Sequence, residues 1–194
     1  YYDRTKVIFM GSDSVRGGKI SFTFAVPRDI NYSNGHGLIN IYALNDDHSL
    51  AVHGASDRFL VGGSAETAND SIGPSIYCYL NSPAFENGGR GNTTPYFVAQ
   101  VADKDGINVS GSGIGHDLEL IIDGDMNQTY VLNDYFRYDF GSYTRGYTYY
   151  NIPELSPGKH RLQFKAWDIL NNSSTAWLDF VVEKGLRPNL FSVA

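Results

Sequence analysis

The sequence predicts an all-β chain of two tandem β-sandwich domains, the second immunoglobulin-like, and three observations carry that reading. Tyrosine, phenylalanine and glycine are abundant, at 14, 11 and 21 residues, which suits pleated strands punctuated by turns. No long segment repeats its apolar residues at the helical period. The third observation is the stretch SPGKHRLQFKAWDILNNSSTAWLDFVVEK near the C-terminus, two alternating strands joined by a polar Asp/Asn/Ser turn. Leu162, Phe164 and Ala166 share one face of its first strand; Ala176, Leu178, Phe180 and Val182 share one face of its second. If both rows face one core, Trp167 and Trp177 point out of it on neighbouring strands, where they can stand opposite each other.

Taken in order, residues 1–63 carry the strand-like runs VIFM, KISFTFAV, GLINIYAL, LAVHG and RFLV, each bounded by Gly, Asn, Asp or Pro. In the second run Ile20, Phe22, Phe24 and Val26 fall on one side, and Pro27 ends it. These residues read as a small β domain lacking its first strands. Residues 64–74 have few large apolar side chains and several breakers, as a linker would. Residues 75–184 then follow an immunoglobulin-like schedule: IYCYL, YFVAQVA, HDLELIID, TYVL, the tyrosine-rich YTRGYTYYNI and the closing hairpin. Leu118, Leu120 and Ile122 point inward, with Asp117, Glu119 and Ile121 outward, so Glu119 can pair across to Arg161 or Lys165. Residues 185–194 read as a C-terminal linker.

Composition narrows the function classes. The net charge of −6, with basic residues spread throughout, disfavours nucleic acid as a partner. A single cysteine rules out an intramolecular disulfide. No signal peptide or membrane-spanning run is visible, and a start on Tyr1 suggests a piece of a longer protein.

The candidate chemical groups are few. Asp103, Asp105 and Asp168, with Asn108, Asn171 and Asn172, should gather at one end of the sandwich. Their oxygens suit calcium, but Asp and Asn also cap turns by accepting nearby backbone N–H groups, and the turn reading is preferred. Asp123-Gly124-Asp125 should lie at the other end near the Ser156-Pro157-Gly158 turn, where His160 is placed to brace it. Cys78 alternates with Ile76 and Leu80, which points its thiol toward the core, where a thiol is inert. The five histidines, His36, His48, His53, His116 and His160, lack metal-site spacing. No catalytic residue and no cofactor is expected. The outward aromatics Trp167, Trp177, Tyr77 and Tyr79 form the candidate interaction face; packing against a neighbouring domain is preferred to binding a glycan.

The segments ISFTFAVPRDINYSNGHGLINIYA, HGASDRFLVGG, VADKDGINVSGSGIGHDLELIIDGD, VLNDYF and SPGKHRLQFKAWDILNNSSTAWLDFVV together give a family resemblance. The chain resembles the region after the peptidase domain in PorU-type sortases of the bacterial type IX secretion system, relatives of the gingipain cysteine peptidases. That resemblance implies a parent on the outer membrane surface of a Bacteroidota-like bacterium, facing outward. It also implies an activity that cleaves sorting signals from secreted cargo and transfers the cargo to a lipopolysaccharide anchor. The catalytic Cys-His pair would lie in a caspase-like domain before Tyr1, so this region would be a non-enzymatic accessory. Its implied partners are the adjoining peptidase domain, secretion-system proteins and cargo. LRPNLFSVA resembles the approach to a further domain. The alternative is a carbohydrate-binding or adhesin module of a surface protein.

Overall fold

The computed structural model describes residues 7–30, 35–63 and 70–186. Among these described residues twelve strands run β1 (Ile39–Leu44), β2 (Ala51–Ser56), β3 (Ser75–Leu80), β4 (Arg90–Gly91), β5 (Tyr96–Ala102), β6 (Ile107–Asn108), β7 (Glu119–Ile122), β8 (Thr129–Val131), β9 (Arg137–Tyr138), β10 (Arg145–Asn151), β11 (Gly158–Asp168) and β12 (Ser173–Val182). Short 3₁₀ turns at Met126–Gln128 and Asn133–Tyr135 are the helical elements among the described residues. The all-β class is therefore what the chain adopts.

From β3 onward the strands make two packed sheets. One has the order β3-β5-β10-β9; the other has the order β4-β12-β11-β7-β8, with β6 also paired to β11. The pairs are antiparallel except β4 with β12. Alternation alone decides what lies between the sheets. Phe97 from the first sheet meets Phe164 from the second with ring centroids 5.5 Å apart, and Leu80, Val101, Leu118, Leu120, Ile122, Leu162 and Phe180 close around them. Removing each such large side chain from water contributes roughly 1.5–3 kcal/mol.

The closing hairpin forms as its parity required, with Leu162, Phe164, Ala166, Leu178, Phe180 and Val182 all buried. The tryptophans do share its outer face, but they are not opposite each other. Trp167 pairs with Ser173 and Trp177 with Gln163, because the turn is shorter than an arrangement bringing them level would need. Two of the expected charge partners are also rearranged. Lys165 stands opposite Glu119, yet its ammonium lies 4.2 Å from the centre of the Trp167 ring. Arg161 makes a two-pronged bond to Asp179 at 2.6 and 2.9 Å.

The upstream residues depart further from expectation. VIFM and KISFTFAV alternate like strands, but they find no ladder; the described regular structure before residue 64 is the β1–β2 hairpin, plus the isolated bridges Arg16–Lys19 and His36–Leu60. RFLV likewise contributes only that bridge. Phe9, Phe22 and Phe24 stack instead, with Phe9 and Phe24 centroids 5.2 Å apart, and Phe9 rests 5.0 Å from Tyr138 of the sandwich. Apolar alternation here serves a segment laid over another sheet. The expected linker at 64–74 falls mostly on residues outside those described, as does most of 185–194.

Candidate functional site

Each sheet presents an outer face, and the two faces differ. On the face of β11 and β12, His116 and Lys165 flank Trp167, and the upstream segment reaches this end of the sandwich through His116. Arg28 donates its backbone N–H to the Ile169 carbonyl at 2.9 Å, which sets Asp29 beside the loop that follows β6. There the Asp29 carboxylate accepts from Asn108 Nδ2 at 3.0 Å and meets His116 Nδ1 at 2.7 Å. The His116 ring in turn lies 4.2 Å from that of Trp167. Trp167 is thus contacted by an imidazole and by the Lys165 ammonium, the latter a favourable partner for the electron-rich indole face. Its Nε1 is buried without a hydrogen-bond partner. Trp177 remains open, at 56% exposure, with the Arg161 guanidinium 5.8 Å from its ring.

Tyr77 and Tyr79 belong to the other sheet, so the four aromatics expected on one face stand on two. Register explains what surrounds them. Tyr77, Gln100 and Tyr147 lie level across β3, β5 and β10; Tyr79, Val98 and Tyr149 form the next row, and Tyr96 with Asn151 the one beyond. All share one parity and face away from the core. The result is a concave face of about 360 Å³ lined by Tyr79, Tyr96, Val98, Gln100, Tyr147 and Tyr149. Tyr96 stacks on Tyr149 at 5.9 Å, while Tyr135 meets Tyr149 edge-on at 6.1 Å and props it from the 3₁₀ turn. Burial, followed by the nearby phenols of Tyr149, Tyr147 and Tyr79, raises the Tyr96 hydroxyl above its ordinary pKa. Sequence reasoning reached Tyr77 and Tyr79 but missed Tyr96, Tyr147 and Tyr149. The period-two spacing of 147 and 149 was the available signal; the strand register was not.

The acidic residues meet turn chemistry. Asp168 is fully buried, and its Oδ1 accepts from the backbone N–H groups of Leu170 and Asn172 at 2.9 and 2.7 Å. Its Oδ2 accepts from Asn172 Nδ2 at 2.7 Å. Asp103 Oδ1 takes the N–H groups of Asp105 and Gly106, and burial raises its pKa. Lys104 bridges Asp105 at 3.7 Å and Asp70 at 3.1 Å. Among the described residues no three acidic, histidine or cysteine side chains converge as metal ligands. At the opposite end, Asp123 and Gly124 turn through positive φ. Asp123 meets His160 Nδ1 at 2.7 Å, and His160 Nε2 reaches the Ser156 carbonyl at 2.7 Å, so this histidine braces the turn as expected. Cys78 packs against the core, and burial pushes its thiol up to about 12. Such a thiol holds almost no nucleophilic thiolate near neutrality.

Comparison with solved structures finds a clear likeness to one segment of a larger protein. The chain is 39% identical, over 85% of its length and with a TM-score of 0.61, to part of dimeric latent PorU from Porphyromonas gingivalis. It spans 16% of that protein. An endo-β-1,4-mannanase from Thermotoga petrophila gives 11% identity over 57% of this chain and 20% of its own, with a TM-score of 0.37, too slight a likeness to bear on fold or function. No family model and no curated protein matches the chain.

Proposed function

We propose that this chain is a non-catalytic accessory region of a PorU-type, gingipain-like sortase, set after the peptidase domain and holding neighbouring parts of that protein in place. The observation that carries this reading is the fastening of the upstream segment to one end of the sandwich, at β6, the loop after it and the closing turn. Asp29 reaches both Asn108 and His116, and the Trp167 ring lies beneath the imidazole. A chain that joins its own upstream residues to the sandwich by a backbone hydrogen bond and a carboxylate shared by two side chains is built to fix relative position. The likeness to part of PorU supports the family placement. The outward surface of a type IX secretion bacterium is then its location, with the peptidase domain, secretion-system proteins and cargo as its partners. No helix among the described residues is long and apolar enough to cross a membrane.

The test uses the parent protein as a whole. Asp29→Ala and Trp167→Ala should leave intrinsic hydrolysis of a small peptide substrate near the wild-type rate while impairing attachment of full-length cargo. The separate 194-residue chain should hydrolyse no peptide. Peptidase activity in that chain would overturn the reading, as would full cargo processing by the doubly substituted parent when it is folded.

A further inference from the structure

The tyrosine-lined face of β3, β5 and β10 is not used by the fastening just described, and its chemistry points to a ligand of its own. Its lining has no formal charge: tyrosines surround Val98 at the floor and Gln100 at one end. The Gln100 carboxamide and the hydroxyls of Tyr79, Tyr96, Tyr147 and Tyr149 make no hydrogen bond within the described residues, whereas Tyr77 donates to the Pro83 carbonyl at 2.7 Å. The cations on the same face are already engaged. Arg137 donates to the carbonyls of Asp134 and Phe136, and Arg145 lies 3.9 Å from Asp139. What remains is flat aromatic surface rimmed by hydroxyl and amide groups, neutral throughout, in a hollow of ligand-sized volume.

We propose that this hollow binds a neutral saccharide, with sugar rings lying on Tyr96, Tyr147 and Tyr149 and sugar hydroxyls bonding Gln100 and the phenols. A pyranose has an apolar C–H face and a polar edge, and tyrosine offers the complement of both on one stiff side chain. Within the lining itself an anionic glycan or a basic peptide would find no countercharge. A protein partner would have to fill a concave surface whose lining carries no charged anchor.

The experiment titrates the full chain with cellohexaose, mannohexaose, maltohexaose and chitohexaose, together with a printed array of neutral and acidic bacterial glycans, followed by amide chemical-shift mapping. Saturable binding of at least one neutral glycan is expected, with shifts confined to β3, β5 and β10. Tyr149→Ala and Gln100→Ala should each weaken it about tenfold, near 1.4 kcal/mol, and Tyr149→Phe, which keeps the ring, should weaken it less. Trp177→Ala, on the other sheet, should leave it unchanged. Absence of any neutral binder, preference for acidic glycans, or binding left undiminished in the folded Tyr149→Ala and Gln100→Ala variants would overturn the proposal. So would a photocrosslinker at Tyr147 that captures a protein in place of glycan.

Discussion

Replacing Asp168 by alanine is the sharpest test of how the closing turn is held. The carboxylate is fully buried, yet it accepts the backbone N–H groups of Leu170 and Asn172 and the Asn172 side-chain amide, at 2.9, 2.7 and 2.7 Å. Alanine leaves all three donors without this acceptor. A buried unsatisfied donor costs roughly 1–3 kcal/mol, but the variant also relieves a desolvated charge and the turn can admit water, so the net loss should be about 3 kcal/mol. For a chain of this size that lowers Tm by about 6–12 °C. Asp168→Asn keeps one acceptor oxygen but sets an NH₂ group against the Asn172 amide, donor against donor, and should lose roughly half as much. Urea unfolding followed by tryptophan fluorescence measures both, with an unchanged slope showing that compactness is preserved. A loss below about 1 kcal/mol in Asp168→Ala would refute the turn account. A wild-type midpoint that rises with calcium and falls with EDTA would refute it too, in favour of a metal site at Asp103, Asp105 and Asp168.

Cys78 should resist iodoacetamide in the native chain at neutral pH and react on unfolding, since burial pushes its thiol up to about 12; rapid labelling of folded protein would contradict the core placement. Gly146→Ala sets a methyl group against the Arg137 carbonyl and the Phe136 ring, and urea titration should record a loss of about 1–3 kcal/mol. The Arg161 hydrogen bonds hold the Asp179 carboxyl below its ordinary value of 3.8. The stability from this pair is present above that value and fades as pH falls through the lower, folded one. An NMR titration should therefore find the Asp179 midpoint moving upward in Arg161→Gln, and an unmoved midpoint would discount the pair. Acrylamide should quench Trp177 well before Trp167, and Trp177→Phe should shift the remaining emission to shorter wavelength; equal quenching would mean that His116 and Lys165 do not shield Trp167.

Much of the sandwich was legible because period-two alternation reports which side of a strand is dry. Leu118, Leu120 and Ile122, and the inner rows of the closing hairpin, needed no tertiary information. The same rule failed at KISFTFAV, since alternation reveals two-sidedness and not the presence of a ladder partner. Phe22 and Phe24 alternate because they lie along an extended segment with stacked rings. The aromatic site was half legible. Parity turned Tyr77 and Tyr79 outward, but joining them to Tyr147 and Tyr149 required knowing that β5 separates the two strands and that Gln100 and Val98 fall level with them. His116 gave no local signal, because its partner Asp29 lies 87 residues away in sequence.

The contact between Asp29 and His116 also bears on how this region can be dissected. A version trimmed to begin at residue 75 would retain every strand of the sandwich and still be a wounded molecule. It would take away the carboxylate that meets His116, whose ring lies on Trp167, and leave Asn108, which is buried in the intact chain, without that partner. Stickiness or lowered stability in such a fragment would then report the cut rather than the biology. Experiments that assign a behaviour to the sandwich alone should carry the upstream residues with it.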